Sequence, residues 1–113
     1  MAAENSGGSP HENTVTLVGR VSAEPETRVL PSEDELVTFR LIVSRPPRRG
    51  REERTRVDVI DIACWSAASR RAARRLEPDA VVRVEGALRR RFFQTGGGAA
   101  SRYEVEASRV RRA

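Results

Sequence analysis

The chain has 113 residues, of which 38% are hydrophobic, and 21 cationic side chains against 16 carboxylates leave a formal net charge of +5. That length suits one domain with one modest core, and no apolar run approaches a membrane span. All the cations are arginine, which excludes a P-loop lysine or a Schiff base, and one cysteine, Cys64, excludes an internal disulfide and fits a reducing cytoplasm.

Residues 1–13 are rich in Gly, Ser, Asn and Glu with almost nothing to bury, so they are expected to form a disordered leader ahead of a domain spanning residues 14–113. They lack the apolar stretch of a signal peptide. From Thr14 to Val21, Val15, Leu17, Gly19 and Val21 alternate with Thr16, Val18 and Arg20, a first strand. Val37, Phe39, Leu41 and Val43 share one face of a second strand, opposite Thr38, Arg40, Ile42 and Ser44. The Pro/Gly-containing loop that follows carries Arg48, Arg49, Arg51, Arg54 and Arg56. In a third strand, Arg56 to Trp65, Ile60, Ile62 and Cys64 oppose Val59, Asp61, Ala63 and Trp65, which separates a core face from a working face.

Ser66 then caps a short helix whose apolar side is Ala68, Ala72 and Leu76 with Ala73 beside them, stopped by Glu77-Pro78-Asp79. A fourth strand sets Val82, Val84, Gly86 and Leu88 against Arg83, Glu85, Ala87 and Arg89. A fifth sets Tyr103, Val105 and Ala107 against Glu104, Glu106 and Ser108. Between them Gly96-Gly97-Gly98 reads as a loop tip. Five short strands with one helix between strands 3 and 4 is an all-β plan, the order of a five-stranded OB-fold barrel, in which closure removes sheet edges. An open five-stranded sandwich is the alternative.

Charge is polarised along the chain. Residues 1–44 hold 3 arginines and 7 acids, whereas residues 45–113 hold 18 arginines and 9 acids. A basic half on a small barrel suits a polyanion, because each neutralised phosphate releases counterions. Catalytic constellations are missing. His11, the only histidine, lies in the leader, Cys64 has no metal-ligating companion, and Asp58 and Asp61 sit three apart on a strand and face opposite sides. Neither an enzyme nor a cofactor or metal site is expected.

Several stretches in register resemble the bacterial single-stranded DNA-binding protein family: Val15-Thr16-Leu17-Val18-Gly19-Arg20-Val21, Glu24-Pro25-Glu26-Thr27-Arg28 as the first loop, residues 37–45, residues 58–65 with the terminal Trp65, Val84-Glu85-Gly86-Ala87-Leu88-Arg89, and residues 103–107. The similarity covers about residues 13 to 110. It implies sequence-tolerant binding of single-stranded DNA in replication, recombination and repair, by a homodimer or homotetramer or a pairing with a full-length paralogue, in the cytoplasm at the nucleoid. Carried over onto this chain, Trp65 and Phe93 are the stacking rings, with Phe92 assisting from the adjoining loop. Arg40, Arg45, Arg89 and Arg91 become phosphate contacts, and Arg48, Arg49 and Arg51 a basic arm.

The chain departs from the family's pattern at Val59, where an aromatic is usual, and at Asp61, an acid on the working face. It ends without the family's long linker and acidic tip. Arg70, Arg71, Arg74 and Arg75 read as a solvated helix face, since the family's helix plugs the barrel end away from nucleic acid. The competing reading is an OB-fold protein-interaction or duplex-binding module that has lost most single-strand binding.

Overall fold

A computed structural model of the chain describes residues 10–47 and 56–113. The elements are β1 (Val15–Val21), β2 (Glu26–Val29), β3 (Glu35–Ser44), β4 (Val57–Cys64), α1 (Ala67–Arg74), β5 (Val81–Thr95) and β6 (Gly98–Arg112). The sheet runs β1-β5-β6-β4-β3-β2, and β1 pairs again with β3. That second pairing closes five strands into a barrel and leaves β2 as a short flap on β3. All ladders are antiparallel except β4 with β6, which meet in parallel at Ile62↔Val105 and Ala63↔Glu106.

The two-residue alternation fills the barrel as the sequence pattern requires. Val21, Val37, Phe39, Leu41, Ile62, Cys64, Val82, Val84, Val105, Ala107 and Val110 form one buried cluster. The switch from odd to even numbers between Ala107 and Val110 marks a bulge: Glu85 pairs with Arg109 and Gly86 with Ala107, so Ser108 is skipped, and its hydroxyl donates to the Glu85 carbonyl. Burial holds the Cys64 thiol at about 11, against the smaller opposing influence of its hydrogen bond with Ser69.

Closure depends on two glycines. A Cβ at Gly19 would lie 2.4 Å from the Ile42 carbonyl oxygen, where β1 turns from β5 toward β3, and one at Gly86 would lie 2.0 Å from that of Glu106, beside the bulge. Only a residue without a side chain lets the backbones approach so closely.

Three features differ from the sequence pattern. β2 occupies part of the expected first loop, so the helix falls between the fourth and fifth of six strands. All four residues of β2 are exposed, and it is held by its backbone ladder to β3 and by a long hydrogen bond of 3.5 Å from Arg74 to the Thr27 hydroxyl. The helix is capped by Ser66, whose oxygen accepts from the Ser69 amide. It buries Ser69 and Ala73, Leu76 is buried just past its end, and Ala68 is exposed. The hydroxyl of Ser69 tolerates burial because it bonds Ser66. Finally, β5 and β6 each run 15 residues and form one long hairpin closed by the two-residue turn Gly96-Gly97, with Thr95 paired to Gly98.

Gly86→Ala should cost about 1–3 kcal/mol of stability by urea unfolding, since the added methyl must push backbone aside. Gly97→Ala, with nothing closer than 4.0 Å, should stay within about 0.5 kcal/mol.

Candidate nucleic-acid interface

Residues opposed across an antiparallel ladder share a face. The register pairs Arg40 with Asp61, Arg89 with Glu104, Arg91 with Arg102 and Phe93 with Ala100. Trp65 follows Ala63 and Asp61 on the same side. The side chains of Arg40, Asp61, Trp65, Arg89, Arg91, Phe93, Arg102, Glu104 and Glu106 therefore lie on one face, here the front, across β3, β4, β6 and β5. It is opposite the core face of Ile62 and Val105, and its breadth follows from β4 lying beside β6.

Every expected phosphate contact within the described residues meets a carboxylate. Arg40 Nε lies 3.3 Å from Asp61, Arg45 2.6 Å from Asp58, Arg89 3.0 Å from Glu106 and Arg91 3.3 Å from Glu104. Glu104 is 5% exposed, and Arg91 is the cation placed beside it in the sheet. The other pairs are solvated and individually weak. The hydrogen bond from Arg45 holds the Asp58 carboxyl below its ordinary value. A depressed carboxyl contributes stability above its unfolded pKa and loses it only as pH falls through the lower folded value, so this pair stays charged at neutral pH.

The rings carry cations too. The Arg91 guanidinium stands 4.8 Å from the Trp65 ring centroid, and that of Arg102 5.7 Å from Phe93. A flat, partly desolvated cation on an aromatic face marks a surface that a nucleobase could occupy, with the arginine displaced toward phosphate. Between the front and the β1–β2 connection lies a groove of about 310 Å³ lined by Glu24, Glu26, Arg28, Arg40, Arg102 and Glu104, among others.

Two expected site residues fall elsewhere. Val43 is paired with Asp58, so Arg45 and Asp58 lie on the side of Leu41 and Ile60, away from Arg40. Phe92 is in β5, not in a loop, and it faces away from Phe93 beside Arg90 and Tyr103. Arg48, Arg49, Arg51 and Arg54 lie outside the described residues. The helix arginines are not a uniformly solvated face. Arg74 and Arg70 both reach Glu35 of β3, at 2.5 and 4.0 Å, and Arg70 donates to the Trp65 carbonyl, clamping α1 to the sheet behind Trp65. Sequence reasoning missed Arg102 because nothing apolar alternates around it, and it missed Arg28 because it lies on the unforeseen β2.

A closed five-stranded barrel with a long hairpin and an aromatic–arginine face defines an oligonucleotide-binding type of fold. The model of the single-strand binding protein family matches residues 12–113, and the chain belongs to that family. Single-stranded DNA-binding protein 3 of Listeria innocua is 31% identical over 86 residues, 76% of this chain and 53% of that protein. The single-stranded DNA-binding protein of Corynebacterium glutamicum is 32% identical over 104 residues, 88% and 46% respectively. The chain thus spans about half the length of these relatives. The Plasmodium falciparum SSB complex with ssDNA shares the fold, with a TM-score of 0.75 at 22% identity over 92% of this chain and 95% of that one. Among the described residues no helix is long and apolar enough to cross a membrane, and no group of three or more His, Cys, Asp or Glu could hold a metal.

Because carboxylates compete with phosphate for the front arginines, Asp61→Asn and Glu106→Gln should each tighten oligo(dT) binding by up to about fivefold, the equivalent of about 1 kcal/mol for a surface pair. Fluorescence titrations at two salt concentrations check this.

Proposed function

We propose that the chain binds single-stranded DNA without sequence preference, in replication, recombination and repair, on the front face of the barrel. The observation that carries this reading is the placement of Trp65 and Phe93 on one face, each beneath a guanidinium, among Arg40, Arg89, Arg91 and Arg102. Stacking accepts any base, and guanidinium–phosphate contacts accept any sequence. The family and the relatives named above support the same ligand. Arg45, Phe92 and the basic arm of Arg48, Arg49 and Arg51 belong to the proposed contacts beyond the front, along the path by which a longer strand leaves it.

Assembly is part of the proposal. One barrel holds on the order of 4 to 16 nucleotides, so tight binding of long strands calls for linked sites. β1 pairs with β3 only at Arg20 and Val21, which leaves the edge of its first half without a strand among the described residues, and Val18 is 46% exposed beside it. An edge of this kind invites a second copy. A homodimer or homotetramer built through residues 14–21 follows, working with DNA at the nucleoid.

Oligo(dT) should quench Trp65, the only tryptophan, and Trp65→Ala or Phe93→Ala should cost about 1–3 kcal/mol of binding with the fold retained. The affinity should also fall with salt, by about 0.7 in log K per log unit for each phosphate contacted. Preference for duplex over oligo(dT) in the same titration would instead support a duplex-binding module.

Val18 sits opposite Arg83 of β5, so a glutamate there would gain a partner within its own chain, whereas Val18→Arg adds like charge. Val18→Arg should shift the chain to smaller species by light scattering and weaken binding to long oligo(dT) more than to short. A wild-type monomer at micromolar concentration with full affinity for long strands would count against assembly through β1.

A further inference from the structure

The β5–β6 hairpin projects far enough to have two solvent-facing sides, and the reverse side differs in kind from the front. Leu88, Arg90, Phe92, Ser101 and Tyr103 lie there, by the registers Arg90↔Tyr103 and Phe92↔Ser101. The Arg90 guanidinium is 5.1 Å from the Tyr103 centroid and 5.5 Å from that of Phe92. Its nitrogens donate to the Ser101 hydroxyl at 2.9 and 3.2 Å and to the Tyr103 hydroxyl at 3.1 Å. All these acceptors are neutral. Among the described residues no carboxylate meets Arg90, whereas Arg89 and Arg91 on either side of it are each paired to one.

Phe92 is 75% exposed and Tyr103 57%. Two rings left in water around one uncompensated cation form a surface complementary to a flat base attached to an anionic backbone. A hydrophobic partner surface alone would leave the charge of Arg90 buried without compensation.

We infer that the reverse side of the hairpin, through Phe92, Arg90 and Tyr103, is a second nucleobase-stacking platform that takes up single-stranded DNA after the strand has crossed the hairpin from the front face. This rests on the single-strand reading above and adds a distinct subsite to it. A strand near the lower end of the family range, about 4 nucleotides, fills the front alone, and one of about 16 or more reaches both sides. The order of occupation follows from the rings. The front joins Phe93 of the ribbon to Trp65 at the end of β4 on one face, while Phe92 and Tyr103 offer only a narrow ribbon two strands wide.

The test uses the full chain with oligo(dT) of about 5 and about 30 nucleotides, lengths chosen to bracket that range. Phe92→Ala and Tyr103→Ala should weaken binding of the long strand about tenfold, the loss of roughly one stacked base, and change binding of the short strand less than twofold. Tyr103→Leu, which keeps apolar bulk without the aromatic ring, should behave as Tyr103→Ala. Photo-crosslinking with 5-bromodeoxyuridine strands and peptide mapping should give Tyr103 adducts only with the long strand.

Wild-type binding of both lengths with Trp65 quenching, but with no Tyr103 adduct and no loss in the variants, would overturn the second platform alone. A wild-type chain that binds neither strand would overturn the single-strand reading itself. If the variants change molar mass and lose both lengths equally, the patch is a contact between copies of this chain and the platform is refuted.

Discussion

The pairing of β1 with two partners is the constraint from which the rest follows. β1 lies along β5 from Val15 to Arg20 and then reaches β3 at Arg20 and Val21, and Gly19 lets the turn happen because the Ile42 carbonyl occupies the space of a side chain. Without that turn the sheet would be open, with its apolar face wet. With it, the apolar face closes inward and β4 comes to lie beside β6. That neighbourhood sets Trp65, at the end of β4, against Arg91 of β5. The candidate interface is thus a product of closure and not of any one strand.

Net charge gives a misleading picture of that interface. The second half of the chain is strongly basic, yet Arg40, Arg89 and Arg91 on the front each meet a carboxylate. On the proposed reading, binding there would be an exchange in which phosphate replaces Asp61 or Glu106 as the partner of an arginine that is already positioned. The acids order the guanidiniums, which reduces the side-chain entropy lost on binding, while they lower the net attraction. Stacking then decides whether a strand stays. The role of Arg70 and Arg74 fits the same logic, since their charge is used on Glu35 to hold the helix behind Trp65.

The barrel was legible in the sequence because burial on one face writes itself as alternation, and Val37, Phe39 and Leu41 or Ile62 and Cys64 are buried as that pattern requires. Trp65 could be placed on the working face by the same parity. What the alternation does not contain is whatever the core does not touch. β2 is exposed at all four residues and held by backbone bonds, which any sequence can make. The outer hairpin has solvent on both sides, so residues 90–102 show no period, and their strand character comes from continuing a ladder begun lower down. Ion pairing was equally silent. Glu104 and Glu106 alternate with core residues like any outward acids, and only the register of β5 against β6 reveals that they meet Arg91 and Arg89.

The hairpin shows what a run of like residues means once a strand leaves its core. Arg89-Arg90-Arg91 and Phe92-Phe93 read in one dimension as a basic cluster followed by an aromatic one. On a pleated strand neighbours point to opposite sides, so each run is divided: Arg89, Arg91 and Phe93 go to the front, and Arg90 and Phe92 to the reverse. β6 supplies its acids two apart, Glu104 and Glu106, and so delivers both to the front. The front consequently receives Arg89 and Arg91 with the two carboxylates, beside Arg102 of β6, and the reverse receives Arg90 with none. The two sides of the ribbon therefore differ in which arginines have a carboxylate beside them, an outcome fixed by parity. A carboxylate moved from position 104 to 103 would fall on the reverse beside Arg90, whereas at 105 or 107 it would meet the core.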